Sequence, residues 1–194
     1  MSQPDPTDYL ERHLYNDLRW LLCAAAEWHV QHTINPDDRI VGQHIKLYAM
    51  DSAALHARAL FEFFTQSTRP NHIGIDLYGL ETISSPNYGD RRSNPALGCW
   101  SSPLHSHLMH LQDRTVGQRL KSFDGSTMKD LNRMPVDFGH EVVCLWREFI
   151  RRLQDQDKDK QLATLAQKAL DDAIAASERV VTKGVNPIRW CPDR

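Results

Sequence analysis

Apolar residues recur at steps of three and four over most of the chain, the period of a helix with one buried stripe. In the first such run Leu10, Leu14, Leu18, Leu21, Leu22 and Ala25 fall on one face, and the pattern reaches to about His32. Asp5, Pro6 and Asp8 precede it. An acidic side chain accepts the unpaired N–H groups of a first turn, and proline lacks the N–H that would go unpaired there, so the helix is expected to start at Asp5. Asn35-Pro36 restarts the chain, and a second helix is expected from about Asp38 to Gln66. Its apolar contacts would come from Ile40, Ile45, Ala53, Leu60, Phe61 and Phe64, with Gly42 a point where it could kink. Residues Leu60 to Phe64 are apolar on most sides, as in a helix buried in the middle of a bundle.

From Ser67 to Pro103 the period is lost: Pro70, Pro86, Pro95 and Pro103 and many Ser and Asn residues interrupt it. Ile73 to Tyr78 could form one short strand or turn within this loop. Helical spacing returns from about Ser102 through Leu104, Leu108 and Leu111, ending before Gly117. A further helix, about Pro135 to Gln156, would bury Val142, Leu145, Trp146, Phe149, Ile150 and Leu153. The last, about Lys158 to Val181, would bury Leu162, Leu165, Ala169, Ala173 and Ile174. The expected fold is therefore all-α, an antiparallel bundle of four to five helices. It is read as one domain over 1–194, with 67–103 as a long loop insertion and 185–194 as an extended tail. A loop that long inside a compact domain is uncommon and often functional.

Bulk properties narrow the classes. The 194 residues can bury about 70% of their unfolded surface, enough for a core without staples. A net charge of −2 argues against gripping nucleic acid by overall charge, although a local patch could do so. Cys23, Cys99, Cys144 and Cys191 lie far apart with no Cys-x-x-Cys pair, which excludes a zinc ribbon and predicts reduced thiols, with Cys23 and Cys144 as small core residues. The N-terminus shows no secretory pattern, and the longest apolar stretch, Trp20 to Val30, is broken by Glu27 and His29 and is too short to span a bilayer. A cytoplasmic location without a membrane partner is expected.

Chemistry is concentrated in Leu104 to Arg114, where His105, His107 and His110 fall within six residues. Imidazole exchanges protons near neutral pH. Between Asp90 and Lys121 five cationic residues, Arg91, Arg92, Arg114, Arg119 and Lys121, stand against two acidic ones, a modest basic patch. His110 and Arg114 would share a helix face; His105 and His110 would lie roughly 140° apart, too far to cooperate on one straight helix, whereas a symmetric dimer could pair one residue with its mate across the twofold axis.

The stretch Asp51 to Phe64, a long loop, and then Leu104-His-Ser-His-Leu-Met-His-Leu resemble the HEPN superfamily of helical bundles, and more narrowly bacterial HEPN-like proteins of unassigned role. The order of elements, including the Trp-bearing helix with Leu145 to Phe149, is also similar, over roughly residues 10 to 155. The resemblance implies a homodimer that binds RNA or cleaves it without metal or cofactor, by attack of a 2′-hydroxyl on the neighbouring phosphate. A toxin or defence role, with an antitoxin as protein partner, goes with it. The family motif is an Arg with a His four to six positions on. His110 matches the His, but His105 stands where the Arg is expected, so Arg114 or a loop Arg would have to meet the phosphate. On this reading His110, His105 and Arg114 are catalytic, and His107, Arg91, Arg92, Arg58, Glu62 and Trp100 bind substrate.

Plainer roles stand beside these. His110 can be a helix histidine hydrogen-bonded inside the bundle. Arg58 and Glu62, one turn apart, are more often a solvated pair than a cleft shared with His56 and His110. Arg91 and Arg92 could meet phosphate, but a double Arg in a loop is more often solvated surface, and the aromatic residues are mostly core, Trp100 being the exception. Two other functions follow from the plainer roles and the histidine cluster. One is a non-catalytic helical module that binds a protein partner; the other is a metal-dependent hydrolase using His105, His107 and His110, against which the spacing on one helix speaks. No phosphate-cradling glycine loop or nucleophile elbow accompanies them.

Overall fold

The computed structural model describes residues 4–34, 43–70, 72–85, 134–156, 160–181 and 184–190 (backbone only at 43, 44 and 47). Within them the chain is an all-α bundle of four long helices, with no strand among the described residues. Helix α1 runs without a break through Pro6–Tyr9, a π-helical turn Leu10–Leu14, and Tyr15–Ile34. Helix α2 is Gln43–Thr65, α3 is Met134–Asp155 and α4 is Lys160–Val180. The expected start of α1 is present: Asp5 caps it by accepting the Asp8 N–H at 3.0 Å, and Pro6 opens the first turn. Its stripe of Leu10, Leu14, Leu18, Leu21, Leu22 and Ala25 is buried as the spacing requires. The π turn at Leu10–Leu14 has no signal in the spacing. The expected helix from Ser102 to Gly117, Gly42 and Ile40 lie outside the described residues.

α1 packs against all three other helices, and α3 against α2 and α4. The contacts give directions. Tyr9 meets Phe63 while Asp17 meets His56, so α1 and α2 are antiparallel. Phe61 meets Phe138 and Phe64 meets Trp146, so α2 and α3 run the same way. Two antiparallel pairs, α1/α2 and α3/α4, are thus laid side by side. Helices that run in parallel cannot be joined by a tight turn, which gives the long span between α2 and α3 a topological role.

The start of that span, residues 66–70 and 72–85, closes one end of the bundle. The Ile83 N–H donates to the Phe64 carbonyl at 2.8 Å, answering one open acceptor at the end of α2. Ile73 to Tyr78 makes no strand; Ile75–Tyr78 is a 3-10 turn that buries Ile75 and Tyr78. Arg152 on α3 donates to the Glu81 carbonyl at 2.9 Å and to Glu148 at 2.8 Å. Glu148 also accepts two bonds from Arg151, and these guanidinium groups hold its carboxyl down at about 2, the Arg151 hydrogen bonds contributing most.

One expectation gains a feature that spacing does not show, and one is corrected. Residues 185–190 follow no helix, as expected of the tail, yet they do not trail free. Trp190 is buried, donates its Nε1–H to Ser177 Oγ at 2.9 Å, and lies over Gly139 and the His140 ring of α3. His29 of α1 donates to the Asn186 carbonyl at 3.2 Å. A lone tryptophan after two helix-breaking residues gives no periodic signal, so only packing reveals the anchor. Cys144 is half-buried and disulfide-bonded, not a free core thiol; its partner lies outside the described residues. Cys23 is free, and burial pushes its thiol up despite Arg19 and Arg179 nearby, so it stays a poor nucleophile at neutral pH.

Two predictions follow from this packing. A Cβ at residue 139 would fall on the Trp190 ring, so Gly139→Ala should release the tail. The expected readout is red-shifted tryptophan emission, which disappears when Trp190→Phe is added, and faster trypsin cleavage after Arg189, which Trp190→Phe does not change further. Glu148 is depressed in the fold, so its contribution is complete above the ordinary carboxylate range and is lost as pH falls toward about 2. The stability difference between wild type and Glu148→Gln, from urea melts, should therefore be constant from pH 7 to 5 and shrink below it.

Candidate interaction face

Of the residues singled out for chemistry, His105, His107, His110, Arg114, Arg91, Arg92 and Trp100 lie outside the described residues. Arg58 and Glu62 are described. They are half-buried and bonded to each other at 2.8 Å, one turn apart on α2. His56 is about 200° round the helix from Arg58. It faces α1, where its Nδ1–H donates to Asp17 Oδ1 at 2.7 Å. The two do not line one cleft.

The Asp17–His56 bond ties α1 to α2 and sets the position of a third residue. Trp20, one turn beyond Asp17, stacks on the His56 ring with centroids 6.5 Å apart and planes 18° from parallel. It does so at the surface: 56% of Trp20 is exposed. Asp17 also acts on Tyr9, whose phenol is raised first by burial and then by that carboxylate.

Beside Trp20, the outward face of α2 is apolar. Ile45 is 47% exposed, Tyr48 72% and Leu55 50%. Ser52 lies between them and Ala59, exposed, continues the row. The positions 45, 48, 52, 55 and 59 advance by three, four, three and four, which keeps them on one side of a helix. The opposite side, with Ala53, Ala54, Ala57, Leu60, Phe61 and Phe64, is the buried one. Ile45, expected to make core contacts, thus belongs to the other face. Both faces of α2 are apolar, so its sequence alone could not say which one the bundle would take. An ordinary surface helix looks different: the solvent side of α4 carries Lys160, Gln161, Gln167, Lys168, Asp171 and Glu178. Contiguous exposed apolar side chains of this size mark a contact surface more often than isolated ones do.

Other places offer less. A groove of about 270 Å³ between α1 and α4 is lined by Leu10, Glu11, Tyr15, Leu165, Lys168, Ala169 and Asp172, but its lysine is bonded to Asp172 at 2.5 Å. No group of three or more potential metal ligands occurs among the described residues. No described helix is long and apolar enough to cross a membrane. The chain matches no family model, no curated protein and no solved structure.

The face assignment has a direct consequence for stability. Tyr48→Glu with Leu55→Glu should change unfolding free energy by no more than about 1 kcal/mol, since both side chains are half in water already. Leu60→Ala on the opposite face should lose about 2–5 kcal/mol. Urea melts followed by circular dichroism give both values.

Proposed function

We propose that this protein is a non-catalytic helical interaction module and that α2 is its docking face. The partner it suits is an amphipathic helix. The observation that carries this is the exposed row Ile45, Tyr48, Leu55, flanked by Trp20. Residues that advance by three and four present ridges and hollows that a second helix fills with its own side chains. Fully burying a large apolar side chain contributes about 1.5–3 kcal/mol. With about half of each still in water, the four together offer on the order of 3–6 kcal/mol, and a matching partner row offers as much again. Set against association entropy of about 4–15 kcal/mol, that supports micromolar rather than nanomolar binding. The Asp17–His56 bond holds Trp20 in place before a partner arrives, so little side-chain order has to be created on docking.

Selection from a displayed pool of helical peptides tests the reading. Wild type should enrich sequences with apolar residues at alternating three and four spacing, and Tyr48→Glu/Leu55→Glu should enrich none of them. Identical peptides from both proteins, or a set without helical spacing, would sink it. The RNA-cleaving function implied by the HEPN resemblance depends on His110 and its neighbours, and it meets a separate test. On the present reading a mixed RNA pool stays intact with wild type in excess EDTA. EDTA-resistant cleavage abolished by His110→Ala would replace the interaction module with a ribonuclease.

A further inference from the structure

The helix that docks on α2 is, we infer, α2 of a second copy, laid antiparallel about a twofold axis at the level of the Ala53–Ala54 peptide. This rests on the docking reading above and names its partner. When two identical helices pack through residues spaced three and four apart, only a few registers bring row onto row. The side chains of this row choose among them by size. It alternates between large and small after its first residue: Tyr48, Ser52, Leu55, Ala59. A parallel pair would set Tyr48 on Tyr48 and Ser52 on Ser52, overfilled in one layer and hollow in the next. The antiparallel register about residues 53 and 54 sets Tyr48 on Ala59 of the second copy and Leu55 on Ser52, large against small in the four layers that these residues make.

Charge selects the same register. Asp51 and Arg58 lie along one edge of the row. In the proposed register Asp51 of each copy faces Arg58 of the other, twice by symmetry. Sliding one helix by a heptad to the next antiparallel register would set Asp51 against Asp51, a like-charge contact. Arg58 already bonds Glu62 through its Nε, and a guanidinium has five donors, so it can bridge Glu62 and an incoming carboxylate. The other edge of the row is closed by Trp20 on His56. An isologous contact of this kind uses one patch on both partners and stops at two copies.

Sedimentation of the full chain between about 1 and 200 µM, with circular dichroism of each variant, tests the proposal. Wild type should pass from monomer to dimer, and Leu55→Glu should remain monomeric with its helicity intact. Asp51→Arg and Arg58→Asp should each weaken the dimer about tenfold or more. Asp51→Arg/Arg58→Asp in one chain should restore it, because the pairs re-form with reversed signs. A dimer indifferent to Leu55→Glu, or no recovery in the double reversal, overturns this interface. A monomer at every concentration also overturns it. If the peptide pool still selects helices against that monomer, the docking reading stands and only the choice of partner fails; if the pool selects nothing, both fail.

Discussion

The packing of one aromatic cluster sets the rest of the architecture. Phe61, Phe63 and Phe64 of α2 meet Phe138, Trp146 and Phe149 of α3, mostly edge to face, with Tyr78 of the 3-10 turn set against Phe63 and Phe149. Aromatic rings contribute much of a core's burial, but two of these carry polar tips that must be bonded once dry. The Trp146 Nε1–H donates to the Ala166 carbonyl at 2.9 Å, and the Tyr78 hydroxyl donates to the Pro6 carbonyl at 2.8 Å. Those two bonds fix α4 and the start of α1 relative to the cluster. Burial pushes the Tyr78 phenol strongly up, so it remains a donor at any ordinary pH. Small residues let the remaining helix close in: α4 turns Ala163, Ala166, Ala169 and Ala173 toward the core.

The cluster takes the inner side of α2 and leaves its outer side to be explained. A helix with a single apolar stripe would be finished at this point, as α3 and α4 are. α2 has a second apolar side, and the bundle covers only one. The same helix therefore serves as structural core on one face and, in the function proposed above, as contact surface on the other. The Asp17–His56 bond joins the two roles, because it locks α1 to α2 and steadies Trp20 at the edge of the exposed row. Docking through a rigid helix face differs from docking through a loop: the geometry exists before the partner comes, and discrimination rests on side-chain size and on edge charges such as Asp51 and Arg58.

Much of the bundle can be read from spacing. The buried stripe of α1, the Asp5 cap with Pro6, and the inner face of α3 from Val142 to Leu153 occupy the places that their periodicity assigns. Each is a local pattern with one apolar side, so local order and burial point the same way. Where two solutions share a local pattern, the spacing is silent. The relative directions of α2 and α3 fall in this class, because a long connection allows either one. The role of Trp190 falls there too, since an isolated aromatic beyond Pro187 has no period to place it. Arg58 and Glu62 are legible only as a pair; that His56 turns away from them toward Asp17 depends on where α1 lies.

By itself, then, the sequence determined that this is a helical bundle, where its four described helices lie along the chain, and which residues of α1 and α3 are buried. Periodicity and end-capping act within a few residues, and they suffice for that. Only the tertiary structure decided which apolar side of α2 faces inward. The deciding factor is the packing of Phe61 and Phe64, which meet Phe138 and Trp146 edge to face and, for Phe64, the tilted ring of Phe149. Ile45, Tyr48 and Leu55, on the other side of the same helix, are left on the surface.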